Sequence, residues 1–235
     1  MTAPAATRRS LLIGLLTGTI ALTPLVGGCS SGGAHVGGEA TGPRPLTTDE
    51  ADRLAIARLS LYRSKVLAIA ATIGSAGQVI TISGWLDAVN NEGYALIAPR
   101  GGQPFLSIWD ATRVSAQSYA GAQAPLPHPT NGWDTADLSA NDSVLAAAQV
   151  LLVSLSSDRA DNPQLLLQNG AQWVRSDTVN GTRVDVINGP LATGATVSNL
   201  RYWVSDKGQL LRLEARLDGK SWSEFDLTPA PGVTF

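Results

Sequence analysis

The stretch Gln209-Leu210-Leu211-Arg212-Leu213-Glu214-Ala215-Arg216-Leu217 decides how the second half of this 235-residue chain folds. Leu211, Leu213, Ala215 and Leu217 fall on one side of a period of two, and Arg212, Glu214 and Arg216 on the other. Successive side chains of a strand point to opposite faces, so the pattern predicts a strand that is wet on one face and packed on the other. Turn signals bound it at both ends. With Asp206-Lys207-Gly208 before it and Asp218-Gly219 after, the segment predicts consecutive antiparallel strands over Leu200–Ser205, Gln209–Leu217 and Lys220–Leu227.

Further back, Asn180-Gly181 is the strongest short hairpin signal, because both residues tolerate the positive φ of a type I′ turn. It predicts pairing of Gln172–Val179 with Thr182–Ile187, where Val184 and Val186 repeat the inward pattern. Near the front, Asn91-Glu92-Gly93 joins Gln78–Val89 to Tyr94–Ala98, and Ile80, Ile82 and Leu86 form another inward row. Between the two sets of strands, Asn141-Asp142-Ser143 opens an Ala- and Leu-rich helix that runs to about Ser156. Its Val144, Ala147, Leu151 and Leu155 face the apolar side. Thr47-Thr48-Asp49-Glu50 has the spacing of a capping box and starts a helix to about Lys65, with Leu54, Ala57 and Leu61 on one face. These elements compose an α+β fold, one curved antiparallel sheet with helices across its concave face.

The chain begins with a different kind of signal. Arg8 and Arg9 precede an apolar run, Leu11 to Leu22, too short to span a bilayer comfortably, and Val26-Gly27-Gly28-Cys29 closes it in the order of a lipobox. Residues 1–28 read as a lipoprotein signal peptide, and Cys29, the one cysteine of the chain, as the acylated first residue of the mature protein. Thr7-Arg8-Arg9-Ser10-Leu11-Leu12 also resembles a twin-arginine export signal. Residues 29–46, rich in Gly, Ser, Ala, Thr and Pro, read as a flexible linker, and 47–235 as a single domain. Two or three acyl chains at ~0.8 kcal/mol per buried methylene make a lasting anchor, so the protein is expected to be exported and held at the outer face of the cell membrane or in the envelope. Cleavage removes Arg8 and Arg9 and no acid, which leaves the mature chain more acidic than the formal −2 of the whole. That balance points away from nucleic acid.

The layout resembles the LprG/LppX-type lipoproteins of mycobacteria, which share the half-barrel of the LolA carriers. Lipobox, linker, first helix, meander, central helix and C-terminal strands follow in the same order, and the resemblance covers about residues 47–229. Trp173-Val174-Arg175-Ser176-Asp177-Thr178-Val179-Asn180-Gly181-Thr182-Arg183-Val184 is similar to that family's strand, Gly-containing turn and returning strand. Tyr202-Trp203-Val204-Ser205-Asp206-Lys207-Gly208-Gln209-Leu210 is similar to its late hairpin. The resemblance implies an apolar cavity between sheet and helices that receives acyl chains of envelope lipids or lipid-linked glycans. Its wall candidates are Ile80, Ile82, Leu86, Val144, Leu151, Leu155, Val184, Val186, Leu211, Leu213, Ala215 and Leu217. The same apolar pattern fits a filled core, in which case the protein is an envelope docking module without lipid cargo.

Catalytic arrangements are poorly supported. His35 falls in the linker and His128 between Pro127 and Pro129, so neither sits on an element that could hold a base against a nucleophile. Nucleophile elbows, zinc-ligand spacings and phosphate-binding glycine loops are absent from the sequence, so no metal, cofactor or enzymatic activity is expected. Asp158 and Asp161 read as a solvated loop after a helix. Six tryptophans accompany only three phenylalanines, and two of them, Trp222 beside Glu224 and Asp226 and Trp133 after Asn131-Gly132, suit rim positions.

Overall fold

The computed structural model describes residues 42–235 apart from Ala76. The signal peptide, the twin arginines, Cys29 and most of the linker lie outside the described residues. Twelve strands are present: Arg44–Pro45 (β1), Val66–Ser75 (β2), Gln78–Asp87 (β3), Glu92–Pro99 (β4), Phe105–Trp109 (β5), Arg113–Ser118 (β6), Asp134–Asp137 (β7), Gln172–Val179 (β8), Thr182–Asn188 (β9), Leu200–Ser205 (β10), Leu210–Ala215 (β11) and Ser223–Pro229 (β12). The helices are Thr48–Ala55 (α1), Ala57–Ser64 (α2), Val144–Ser154 (α3) and Pro163–Gln168 (α4). All strands join one open antiparallel sheet in the order β1-β8-β9-β10-β11-β12-β2-β3-β4-β5-β6-β7, curved around the helices. Among the described residues no helix is long and apolar enough to cross a membrane.

Asn180 and Gly181 adopt φ of 49° and 78°, as the hairpin requires, and β8 and β9 pair from that turn. The capping box forms as well. The Glu50 N–H donates to Thr47 Oγ1 at 3.3 Å and the Thr47 N–H to Glu50 Oε2 at 2.8 Å. Arg44 grips the same carboxylate with both forks of its guanidinium, at 2.7 and 2.8 Å, while β1 pairs with the start of β8 and Leu46 is buried. Arg44 to Leu46 therefore belong to the folded body and not to the linker. The helix expected to reach Lys65 breaks at Ile56, and the break turns the chain so that Ala51, Leu54 and Ala55 of α1 and Ala57 and Leu61 of α2 are all buried.

On the concave side the core is filled by α3. Gly84, Ala95 and Ser107 are cross-strand neighbours on β3, β4 and β5 and make a row of small residues. The Ala-rich α3 packs over this part of the sheet, with Gln149 Nε2 donating to Ser107 Oγ at 3.0 Å and Trp109 Nε1 donating to the Gln149 carbonyl at 3.0 Å. Both polar groups of that buried contact are thereby satisfied.

The convex side is less wet than the alternation implies. Tyr94, Leu96 and Leu106 form a small core there, closed by Trp85, Trp133 and Phe235 and by Tyr119 and Ala124 of the connection between β6 and β7. A second cluster joins Val179, Val184, Val186 and Trp203, with Leu211 packed against it. Val184, Val186 and Leu211 thus face away from the helices, contrary to the sequence reading. For β9 the reason is Asp185, which turns toward the helix side because Arg53 of α1 meets its carboxylate at 2.6 Å and Trp173 Nε1 donates to it at 3.0 Å. For β11 the reason is a bulge. Trp203 lies opposite Arg212 and Val204 opposite Leu210, so Leu211 is the extra residue and Leu210 takes the inward place.

Candidate functional site

A hollow of about 380 Å³ opens between α1, α2, the end of α3, α4 and the start of β10. Leu54, Ala57, Leu151, Leu155, Leu166 and Leu200 give it an apolar wall, and Leu165, 52% exposed, stands at its mouth. Arg58, Asp161, Asn162 and Asn169 are its polar lining.

Local sequence builds the outer wall. Asn162 caps α4 by accepting from the Gln164 N–H at 2.9 Å, and Pro163 occupies the first helical position, where a missing N–H costs nothing. The connection from α3 to α4 is pinned to the first two helices by the Asp161 N–H on the Ala55 carbonyl at 2.8 Å and the Ser157 N–H on the Arg58 carbonyl at 3.3 Å. Arg58 supplies the electrostatics. Its guanidinium donates to the carbonyls of Leu155 and Ser154 at 3.2 and 3.1 Å and pairs with Asp161 at 3.3 Å, which places a cation at the carbonyl end of α3.

Tyr202 projects from β10 into the hollow, and burial pushes its phenol up to about 12, against Arg58, which lowers it, and with Asp161, which raises it. The phenol is protonated at neutral pH and can offer an O–H within an otherwise apolar wall.

This chain is similar to LppX, a lipoprotein of Mycobacterium tuberculosis. The alignment with the LppX crystal structure covers 80% of this chain and 97% of LppX, with 12% identity and a TM-score of 0.46. No family model matches the chain, and no curated protein does.

Of the wall candidates taken from the sequence, Leu151 and Leu155 line the hollow. Ile82, Leu86, Leu213 and Ala215 are buried in the packed core, and Ile80 and Leu217 pack at its margin. Val144 is half-buried in the first turn of α3, away from the hollow, and Val184, Val186 and Leu211 lie on the convex face. Leu165, Leu166, Leu200 and Tyr202 escaped the sequence reading, as did the pairing of Asp161 with Arg58. The run Asn162-Pro163 followed by Leu165-Leu166-Leu167 held the signal for α4, a cap and a first-turn proline before an apolar stretch. Trp222 and Trp133 are both half-buried; Trp133 packs in the convex cluster and donates from Nε1 to the Pro129 carbonyl at 2.8 Å.

Proposed function

We propose that the protein is a membrane-tethered envelope lipoprotein, without catalytic activity, that binds an acyl chain of a lipid or lipid-linked glycan in the hollow beside α4. The observation that carries the reading is the apolar wall of that hollow together with its exposed Leu165 lip. Its volume lies at the low end of the ~300–1,000 Å³ of small-molecule sites. If a methylene takes about the ~30 Å³ of a water molecule in the liquid, the hollow holds one chain segment of about a dozen carbons. At ~0.8 kcal/mol per methylene such a segment contributes about 10 kcal/mol gross before ordering costs. The remainder of a longer chain and any headgroup stay outside, at the rim formed by Arg58, Asp161, Asn162 and Asn169. The lipobox and Cys29 supply the tether in this reading.

The test uses protein freed of bound lipid and titrated with a fluorescent dodecanoyl probe, alongside mass spectrometry of extracts from the native preparation. Leu165→Arg, a change at an exposed position, is expected to weaken uptake about tenfold with an unchanged melting temperature. A folded protein that carries no lipid and takes none from the probe or from vesicles overturns the reading in favour of a docking module. Cys29→Ala is expected to abolish acylation and release the protein from membranes; unchanged membrane partition of that variant counts against the tether.

A further inference from the structure

The lipid reading leaves unused a second concavity, of about 320 Å³, where the Gly189–Asn199 connection passes β10, β11 and β12. Sheet register assembles it. Arg201 lies opposite Glu214, and Glu214 opposite Glu224, so Arg216 and Trp222, each two residues along, rise from the same convex face. Both guanidinium carbons lie 4.3 Å from the Trp222 ring centroid. Asn188, Ser198 and Gln172 line the same space, and Val197, 59% exposed, forms its shoulder.

The two cations differ in what they hold. Arg201 donates to Glu214 Oε2 at 3.0 Å and to Asn188 Oδ1 at 3.3 Å. Arg216 makes no ion pair among the described residues, and its Nε–H is buried without an acceptor. Stacking on an indole fixes the plane of a guanidinium but supplies no hydrogen-bond acceptor, so the fork of Arg216 is oriented and unmet. No carboxylate lines the concavity, in a chain where acids outnumber bases 19 to 17.

We propose that this concavity binds an oxyanion, a phosphate or carboxylate group carried on a polyhydroxyl scaffold. Arg216 receives the oxyanion through its planar fork, the geometry that matches carboxylate and phosphate oxygens in pairs. Arg201, held by Glu214, offers the remaining N–H groups of its guanidinium, and the amides of Asn188 and Gln172 and the hydroxyl of Ser198 meet the ligand's hydroxyl groups. Trp222 is the wedge that holds both guanidinium planes in place. The ligand is either a free sugar acid or sugar phosphate, or the anionic headgroup of a lipid, and the site is independent of the acyl hollow.

The test titrates the full folded protein with glucose 1-phosphate, glucuronate and neutral glucose, and separately with vesicles of phosphatidylglycerol or phosphatidylcholine. The indole N–H of Trp222 and the Nε–H of Arg216 are followed in ¹⁵N–¹H spectra, with W222F and R216Q giving the assignments. Saturable shifts with the two anionic sugars and none with glucose identify a free ligand. Shifts with phosphatidylglycerol vesicles alone identify a headgroup, and either result supports the oxyanion site. R216Q is expected to weaken binding about tenfold and R216K to recover only part of it, because lysine keeps the charge without the fork. R183Q, which removes an exposed charge elsewhere on β9, is expected to leave binding within about twofold. No shift with any anionic probe, or equal binding by R216Q in a protein with unchanged melting temperature, overturns the proposal. Loss of dodecanoyl uptake in the protein that still binds glucose 1-phosphate overturns the acyl hollow and leaves this site standing.

Discussion

Gly93 and Trp109 are cross-strand partners, and the indole of Trp109 covers the space that a β-carbon at Gly93 would enter. The ring is fully buried, and its Nε1 donates to the Gln149 carbonyl, so the glycine sets how closely α3 lies on the sheet. Gly93→Ala is expected to cost about 1–3 kcal/mol, the range for overpacking a well-filled core. Thermal denaturation checks this, and an unchanged melting temperature shows that Trp109 has another place to go.

The bulge at Leu211 makes a sharp distinction between neighbours. Leu210 and Leu213 are buried against the helices, whereas Leu211 is half-buried on the convex face. Leu210→Ala and Leu213→Ala are each expected to lose about 2–5 kcal/mol, and Leu211→Ala under about 1.5 kcal/mol. Urea midpoints of the three variants decide it, and equal losses at 210 and 211 contradict the bulge.

The carboxyl of Glu50 is held below its ordinary 4.5 first by the Arg44 hydrogen bonds and further by the Thr47 backbone N–H, with burial acting the other way. A folded-state value below the unfolded one gives stability that is complete above about 4.5 and lost as the pH falls through the folded value. Glu50→Gln is therefore expected to cost about 1–2 kcal/mol at neutral pH and progressively less in acid. Denaturation of both proteins at pH 7 and pH 3 reads the difference, and a gap that widens in acid reverses the sign argued here.

Gly181, with φ of 78°, follows Asn180 at 49° in the β8–β9 turn. Gly181→Val places a branched side chain in left-handed backbone and is expected to cost about 1–2 kcal/mol. Asn180→Gly should be nearly silent. Melting curves check both, and a tolerated valine would mean that the turn changes type.

The signals that were legible in the sequence are those decided within a few residues. Asn180-Gly181 placed a hairpin, Thr47 to Glu50 placed a cap, and Leu200–Ser205 was bounded correctly by its turns. What the sequence hid depends on partners far along the chain. A period of two assigns faces correctly until one residue slips out of register, as Leu211 does opposite the step from Trp203 to Val204 on the neighbouring strand. Asp185 is the middle member of a Val-Asp-Val alternation, and Arg53, 132 residues earlier, turns it inward together with Trp173. The hollow was illegible for a related reason. Leucines that line a space and leucines that fill a core have the same spacing, and the difference lies in where α3 and α4 rest on the sheet. α4 itself, Pro163–Gln168, is too short to show helical periodicity.

β12 lies between β11 and β2, so two meanders that are each continuous in sequence, β2 to β7 and β8 to β12, meet only along this one seam. The strand that joins them, β12, follows all the others in the described chain. Until it docks, β2 and β11 both carry an open edge able to pair with another chain. Its seam with β2 bridges more than 150 residues, as with Asp226 opposite Ala70, a long loop to close before any contact rewards it. Completion of the sheet is thus governed by one long-range pairing, that of β12 with β2.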